Sequence, residues 1–334
     1  MSEWTRRARA FSILIGVLSS IHSSAAQAQT TPVAAMFGDD QKRDASLAES
    51  FLTVDLPAAK AAAFPAHVYL SAGDLERAFD RAEFRPDGAI VPTNTDLVTS
   101  APAPATQRVL IDRVLKQPDV MRDLDDQIAA RRKQPPAPGG EPGLMRIGID
   151  TFVARLAPGA GMPTAGAFPK TACLIATDFA KGGAIDRREL FTQDRLRKGV
   201  AACLSALDAG GAQSVVLPLI GAASSGNQLN DKFFEGQRVL MECRLINATA
   251  GIALGIRDFA PDRRNLREIG LLQWDREIEG MFKVPPGSRA EGSALSAYRA
   301  YAEQIKQAFR RGLAGDRTTA GDLNGTCNAI LSVQ

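Results

Sequence analysis

Two stretches far apart in the chain carry residue types suited to holding phosphate. The first is Gly73-Asp74-Leu75, followed by Asp87-Gly-Ala-Ile-Val-Pro-Thr-Asn94. The second is Ser214-Val-Val-Leu-Pro-Leu-Ile-Gly221-Ala-Ala-Ser-Ser-Gly226. Each reads as a buried strand running into a turn of small and polar residues. Turns rich in Gly and Ser can direct backbone N–H groups at a phosphate. In α/β proteins, loops leaving strand C-termini line the ligand crevice. The pattern implies recognition of a phosphorylated small molecule. Asp96, with Asp178 behind it, is the carboxylate nearest to these stretches that could orient a water; the alternative for both is a solvent-facing loop residue.

Other chemistries are limited by what is missing. The chain has two histidines, and only His67 lies beyond the N-terminal segment. It sits in the apolar run Phe64-Pro-Ala-His-Val-Tyr-Leu70 and reads as a buried, hydrogen-bonded structural residue. A Ser-His-Asp or Cys-His arrangement would have to use it. Multi-histidine metal sites are excluded, and no Cys-x-x-Cys pair exists. Of the four cysteines, Cys203 shares a helical stripe with Leu196, Val200, Leu204 and Leu207. Cys243 is spaced helically with Val239, Leu240 and Ile246, and Cys173 lies within an apolar run. All three read as small core residues, whereas Cys327 lies in a polar tail; the pairing stays open.

The first 28 residues read as an export signal. Arg6, Arg7 and Arg9 precede the short apolar run Phe11-Ser-Ile-Leu-Ile-Gly-Val-Leu18, and Ala26-Gln27-Ala28 has the small-x-small form of a cleavage site. The run is about half the roughly 20 residues a spanning helix needs. Arg6-Arg7 also raises twin-arginine export, without its usual Phe-Leu context. Cleavage after Ala28 is expected, giving a periplasmic or secreted protein that is not membrane-embedded. It removes three Arg and one Glu and takes the formal net charge from +3 to +1. That balance carries no electrostatic footprint for nucleic acid or anionic membrane.

Several elements must position these residues. Strands are expected over 67–70, 88–91, 145–156, 171–177, 214–220 and 251–259, and helices over 74–82, 108–130 (broken at Pro118), 191–207 and 231–246. Pro- and Gly-rich loops fall over 92–105, 133–143 and 157–170. The alternation of strand and helix implies parallel strands covered on both faces. After Pro261 the composition changes, and a helix over 294–312 places Tyr298, Tyr301, Ile305 and Phe309 on one face, read as packing against the domain's flank.

Four segments in order, from about residue 67 to 260, resemble a macro domain, the ADP-ribose-binding module. Tyr69-Leu-Ser-Ala-Gly-Asp74-Leu75 resembles its opening strand. Asp87-Gly-Ala-Ile-Val-Pro-Thr-Asn94 is similar to its Asp-Ala-Ile-Val-Asn-Pro-Thr-Asn strand. Met162-Pro-Thr-Ala-Gly-Ala-Phe-Pro-Lys-Thr-Ala-Cys173 resembles the lead into a central strand, and 198–221 the helix and strand that deliver the phosphate loop. The resemblance implies a three-layer α/β/α macro-like fold with a central mixed, largely parallel sheet and a C-terminal helical extension. It divides the chain into a signal peptide (1–28), a leader (29–60), the macro-like domain (61–262) and the extension (263–334).

The resemblance also implies site roles. Asp74 with Leu75 would meet the adenine, the alternative for Asp74 being a plain helix N-cap, and Asn94 the distal ribose, the alternative being ordinary turn chemistry. The backbone of Gly221, Ala222, Ala223, Ser224, Ser225 and Gly226 would wrap the diphosphate, and Asn227 stands where an aromatic often stacks on the ribose. The departures imply loss. Thr95-Asp-Leu-Val-Thr-Ser-Ala-Pro-Ala-Pro104 has no Gly where family hydrolases carry a run of them, Ala223 replaces the middle Gly of Gly-x-Gly-x-x-Gly, and Val91 replaces an Asn. The expectation is an exported module that binds ADP-ribose or a related nucleotide or phosphorylated metabolite without turning it over. The alternatives are an ADP-ribosyl hydrolase using Asp96 and a ligand-free interaction protein. No cofactor or metal is expected.

Overall fold

The computed structural model describes residues 52–72, 86–94, 118–135, 148–155, 171–178, 193–220, 238–273 and 291–316. Seven strands form one sheet: β1 (Leu52–Asp55), β2 (His67–Ala72), β3 (Gly88–Asn94), β4 (Thr151–Arg155), β5 (Thr171–Asp178), β6 (Ser214–Pro218) and β7 (Glu268–Gln273). Among the described residues four α-helices accompany them: α1 (Pro118–Arg132), α2 (Gln193–Ala209), α3 (Arg238–Phe259) and α4 (Glu291–Ala314). The strand order is β1-β2-β7-β6-β3-β5-β4. The five inner strands run parallel, and the edge strands β1 and β4 pair antiparallel with their neighbours. The result is a three-layer α/β/α arrangement around a mixed, largely parallel sheet.

Alternation along the strands divides the core. Val68, Leu70, Ile90, Cys173, Ile175, Val215, Leu217, Ile269 and Leu271 share one buried cluster with residues of α2, α3 and α4. The residues between them, such as Ala89, Val91, Leu174 and Val216, are buried outside it, as are Val120, Leu124 and Ile128 of α1. Successive strand residues point to opposite faces, which produces this division.

Three expectations change. Residues 251–256 are not a strand; they complete α3, which runs on through Phe259. The segment Gly251-Ile-Ala-Leu-Gly-Ile256 is apolar throughout, and in such a run strand and buried helix look alike. The glycines decide the matter: Gly251 and Gly255 are one helical turn apart, and α2 lies against them. A Cβ on Gly251 would meet the Gln193 carbonyl oxygen at 2.9 Å, and one on Gly255 the Arg197 carbonyl oxygen at 2.7 Å.

The strand that fills the sheet is instead β7, which pairs with β2 on one side and β6 on the other. The sheet therefore continues beyond residue 262, into the segment assigned to the extension. The leader also contributes a strand, since β1 closes the edge beside β2. Finally, Cys173 of β5 and Cys203 of α2 form a disulfide, with Cα atoms 5.5 Å apart. Both occupy core positions, as expected, but facing ones.

The C-terminal helix packs against α3. Ile305, Ala308, Phe309 and Leu313 join the core cluster, and a Cβ on Gly312 would meet Ala253 Cβ at 2.6 Å. Each large apolar side chain buried this way contributes about 1.5–3 kcal/mol, so this face of α4 is occupied by its own fold.

Carboxylates fasten the base of the sheet, where the parallel strands begin. Asp87 Oδ2 accepts from the N–H groups of Gln213 (2.9 Å) and Ser214 (3.2 Å), and Ser214 Oγ accepts from Asp87 N–H at 3.1 Å. The buried Asp208 carboxylate accepts from the N–H groups of Arg264, Asn265 and Leu266 at 2.7–2.9 Å. Arg263, buried beside it, donates to the carbonyl oxygens of Phe64 and Leu266.

Candidate functional site

The parallel strands all end at the opposite edge, and every sequence-selected binding or catalytic residue lies on a strand or connection that ends or leaves there. β2 ends at Ala72, just before Asp74 and Leu75. β3 ends at Asn94 itself, just before Asp96. β6 ends at Pro218, and the chain leads through Ile220 into 221–227. Asp74, Leu75, Asp96, Gly221, Ala222, Ala223, Ser224, Ser225, Gly226 and Asn227 lie outside the described residues, as does the helix expected over 74–82. Strand spacing fixes where their segments start. β3 and β6 are neighbours, about 4.8 Å apart, and β2 lies three spacings from β3, about 14 Å.

The ladder between β3 and β6 covers only Gly88↔Val215 and Ala89↔Val216, whereas β3 stays paired with β5 as far as Asn94. Pro92 and Pro218 lie in the stretches of β3 and β6 beyond this ladder. Proline has no N–H to give to a ladder, and the β3–β6 pairing stops short of both prolines. This is also where the chain reverses direction across the sheet. β3, β5 and β4 build one way, and the chain then crosses to β6 and β7 on the other side of β3. Such a switch point leaves a crevice between loops that diverge.

A second irregularity lies on the other side of β3. Its register with β5 is regular up to Thr93↔Ala176, then shifts so that Asn94 stands opposite Asp178. The sequence offered no signal for this pairing, because nothing in it fixes a bulge.

Among the described residues, the groups with displaced pKa values are Glu268 and Arg263 at the base of the sheet and Arg197 on α2. His67, expected to be buried, is 40% exposed and donates from Nδ1 to Asp55 Oδ1 at 2.7 Å. It opens β2, where the edge strand is a single short layer that leaves the ring open to solvent. From His67 to the end of β2 is about 17 Å at strand rise, so it cannot serve chemistry at the C-terminal edge. Glu268, in register with His67, is 95% buried, and burial pushes its carboxyl up to about 7 while His67 works against the rise. Arg263 is lowered by burial, opposed by Asp208. Arg197 on α2 is raised by its hydrogen bond to Asp258 and by Asp194, against burial. Among the described residues no group of three or more His, Cys, Asp or Glu side chains is placed to hold a metal, and no helix is long and apolar enough to cross a membrane.

Solved macrodomains are among the structures this chain resembles. A macrodomain of Oceanobacillus iheyensis with ADP aligns over 76% of this chain and 98% of its own, at 9% identity and a TM-score of 0.37. The macro domain of ganglioside induced differentiation associated protein 2 aligns over 68% of this chain and 90% of its own, at 16% identity and a TM-score of 0.37. A Trypanosoma brucei macrodomain in complex with ADP-ribose aligns over 64% and 66%, at 10% identity and a TM-score of 0.35. No family model and no curated protein matches the chain. At TM-scores below 0.5 these likenesses carry no part of the functional reading, which stands on the chain's own residues and strand order.

Proposed function

We propose that this chain is an exported macro-like module that binds ADP-ribose, or a related nucleotide or phosphorylated metabolite, across the C-terminal edge of its sheet without hydrolysing it. The observation that supports this most is that the β3–β6 ladder ends at Ala89↔Val216, before the C-terminal ends of the two strands. β3, which ends at Asn94, and β6, whose chain runs on toward 221–226, are neighbours at the switch point of the sheet. The diphosphate then draws on the backbone of that loop, the distal ribose on the end of β3, and the adenine on Asp74 and Leu75 beyond β2. A span of about 14 Å from β2 to β3 is one that a dinucleotide-like ligand bridges.

Binding is weak on this reading. The segment 95–104 has prolines and no glycine where donors would be needed. Each charge-assisted hydrogen bond lost removes about 1.5–3 kcal/mol. Calorimetry with ADP-ribose tests the reading: weak binding that disappears in Ser225→Tyr supports it. A nanomolar dissociation constant would show that segment 95–104 supplies donors after all, and no binding would leave the ligand-free scaffold. Release of ADP-ribose from modified protein, abolished in Asp96→Ala with binding intact, would establish the hydrolase instead.

The Cys173–Cys203 disulfide supports export independently of the N-terminal segment, because disulfides persist in oxidising compartments. N-terminal sequencing of the exported protein should begin at Gln29.

A further inference from the structure

Cys173 of β5 and Cys203 of α2 are bonded to each other, and both are 0% exposed. Val200, Leu204 and Leu207 of the same helix, and Leu174 and Ile175 of the same strand, are just as closed to solvent. A Cβ on Gly199, one helical turn before Cys203, would run into the Gly148 carbonyl oxygen, so α2 is seated on its neighbours without a gap. Disulfides are made by attack of a thiolate on another disulfide, which must reach the thiol. The folded core gives it no approach. We propose that the Cys173–Cys203 bond is made on the unfolded chain, by a partner carrying a reactive disulfide, and that the chain therefore crosses the membrane unfolded. This rests on the export reading and goes beyond it.

The chemistry closes with that partner. One cysteine thiolate attacks the partner's disulfide, releasing one partner thiolate and leaving a mixed disulfide. The second cysteine thiolate attacks the chain's own sulfur in that bond, and the partner leaves as a dithiol. The chain loses two electrons and two protons, and the partner gains both. Chain order suits the step. Cys173 and Cys203 are the first two of the four cysteines, and the 30 residues between them make a short loop to close. β6 and β7, which lie inside the sheet, both follow them in the chain. An emerging chain thus presents this pair before the strands that complete the sheet. A chain that folded before export would bury both thiols reduced, because the compartment it leaves keeps thiols reduced. This favours an unfolded-chain route over the twin-arginine route that Arg6-Arg7 raises, which carries folded chains.

The test follows these two cysteines in the full chain carrying Cys243→Ser and Cys327→Ser. Folded under reductant and then given oxidised glutathione, it should pair its thiols on the order of a hundredfold or more slowly than the same chain held in urea. Comparable rates overturn the proposal. A reduced chain that cannot fold supports it, because oxidation must then come first. In cells, the wild-type leader should deliver disulfide-bonded chain, and a twin-arginine leader in place of residues 1–28 should deliver reduced chain or none. Disulfide-bonded chain from the twin-arginine leader overturns the unfolded crossing. A wild-type chain that stays uncleaved inside the cell overturns the export reading and the crossing with it, while the glutathione rates still decide when the bond forms.

Discussion

Glu268 stands in register with His67 on one side and Ser214 on the other, at the base of the sheet. Its folded pKa of about 7 lies above the ordinary carboxylate value, so the folded chain keeps this proton to a higher pH than the unfolded one. The associated stability is full below about 4.5 and is lost as the pH rises to about 7. Glu268→Gln fixes the uncharged form. Urea unfolding should show it stabilised at pH 8, on the order of 1–3 kcal/mol, and indistinguishable from wild type at pH 4. Asp208→Ala should cost about 3 kcal/mol or more in the same assay, because three backbone donors lose their acceptor and the buried Arg263 loses the negative charge beside it. At this scale the sequence was legible by type but not by environment. His67 belonged to a strand, as its apolar neighbours implied, but whether an edge strand covers its ring depends on the length of β1. Asp178 was visible only as a carboxylate beyond an apolar run, because the bulge that sets it opposite Asn94 is a property of two strands together.

The edge strand β4 shows how one element protects another. Gln127 of α1 accepts from Val153 N–H through Oε1 and donates to Val153 carbonyl oxygen through Nε2, each at 2.9 Å. The side-chain amide occupies the place a further strand would take, which blunts an otherwise open edge. Gln127→Ala should lower stability by about 1–2 kcal/mol and speed hydrogen exchange at the Val153 amide, with little change elsewhere in the sheet. The disulfide links β5 to α2 across 30 residues. Replacing Cys173 and Cys203 together with Ala should cost about 2–4 kcal/mol in thermal or urea unfolding. Where the apolar pattern was interrupted, elements were readable: β2, β3, β5, β6, α2 and α4 all lie where periodicity and turn residues set them. The missed boundary fell at 251–256, where every position is apolar and only contact with α2 tells helix from strand.

At the scale of the molecule, the alternating strands and helices were sufficient to imply a parallel sheet covered on both faces, but not its order. That order depends on pairing between distant segments, and Glu268-Ile-Gly-Leu-Leu-Gln273 is too short, and too close to a charged stretch, to announce a central strand. Its position carries a consequence for how the chain comes to exist. β2 emerges from the ribosome about two hundred residues ahead of β7, its sheet neighbour. Until then β2 and β6 flank an empty slot, with two open strand edges facing each other. A fragment ending at residue 262 would retain every motif quoted for the ligand, and should nevertheless accumulate as aggregate, whereas one extended past Gln273 should have the strand it needs to close the slot. The last of the described strands to be synthesised is thus the keystone of the sheet, and the nascent chain cannot complete the sheet until it arrives.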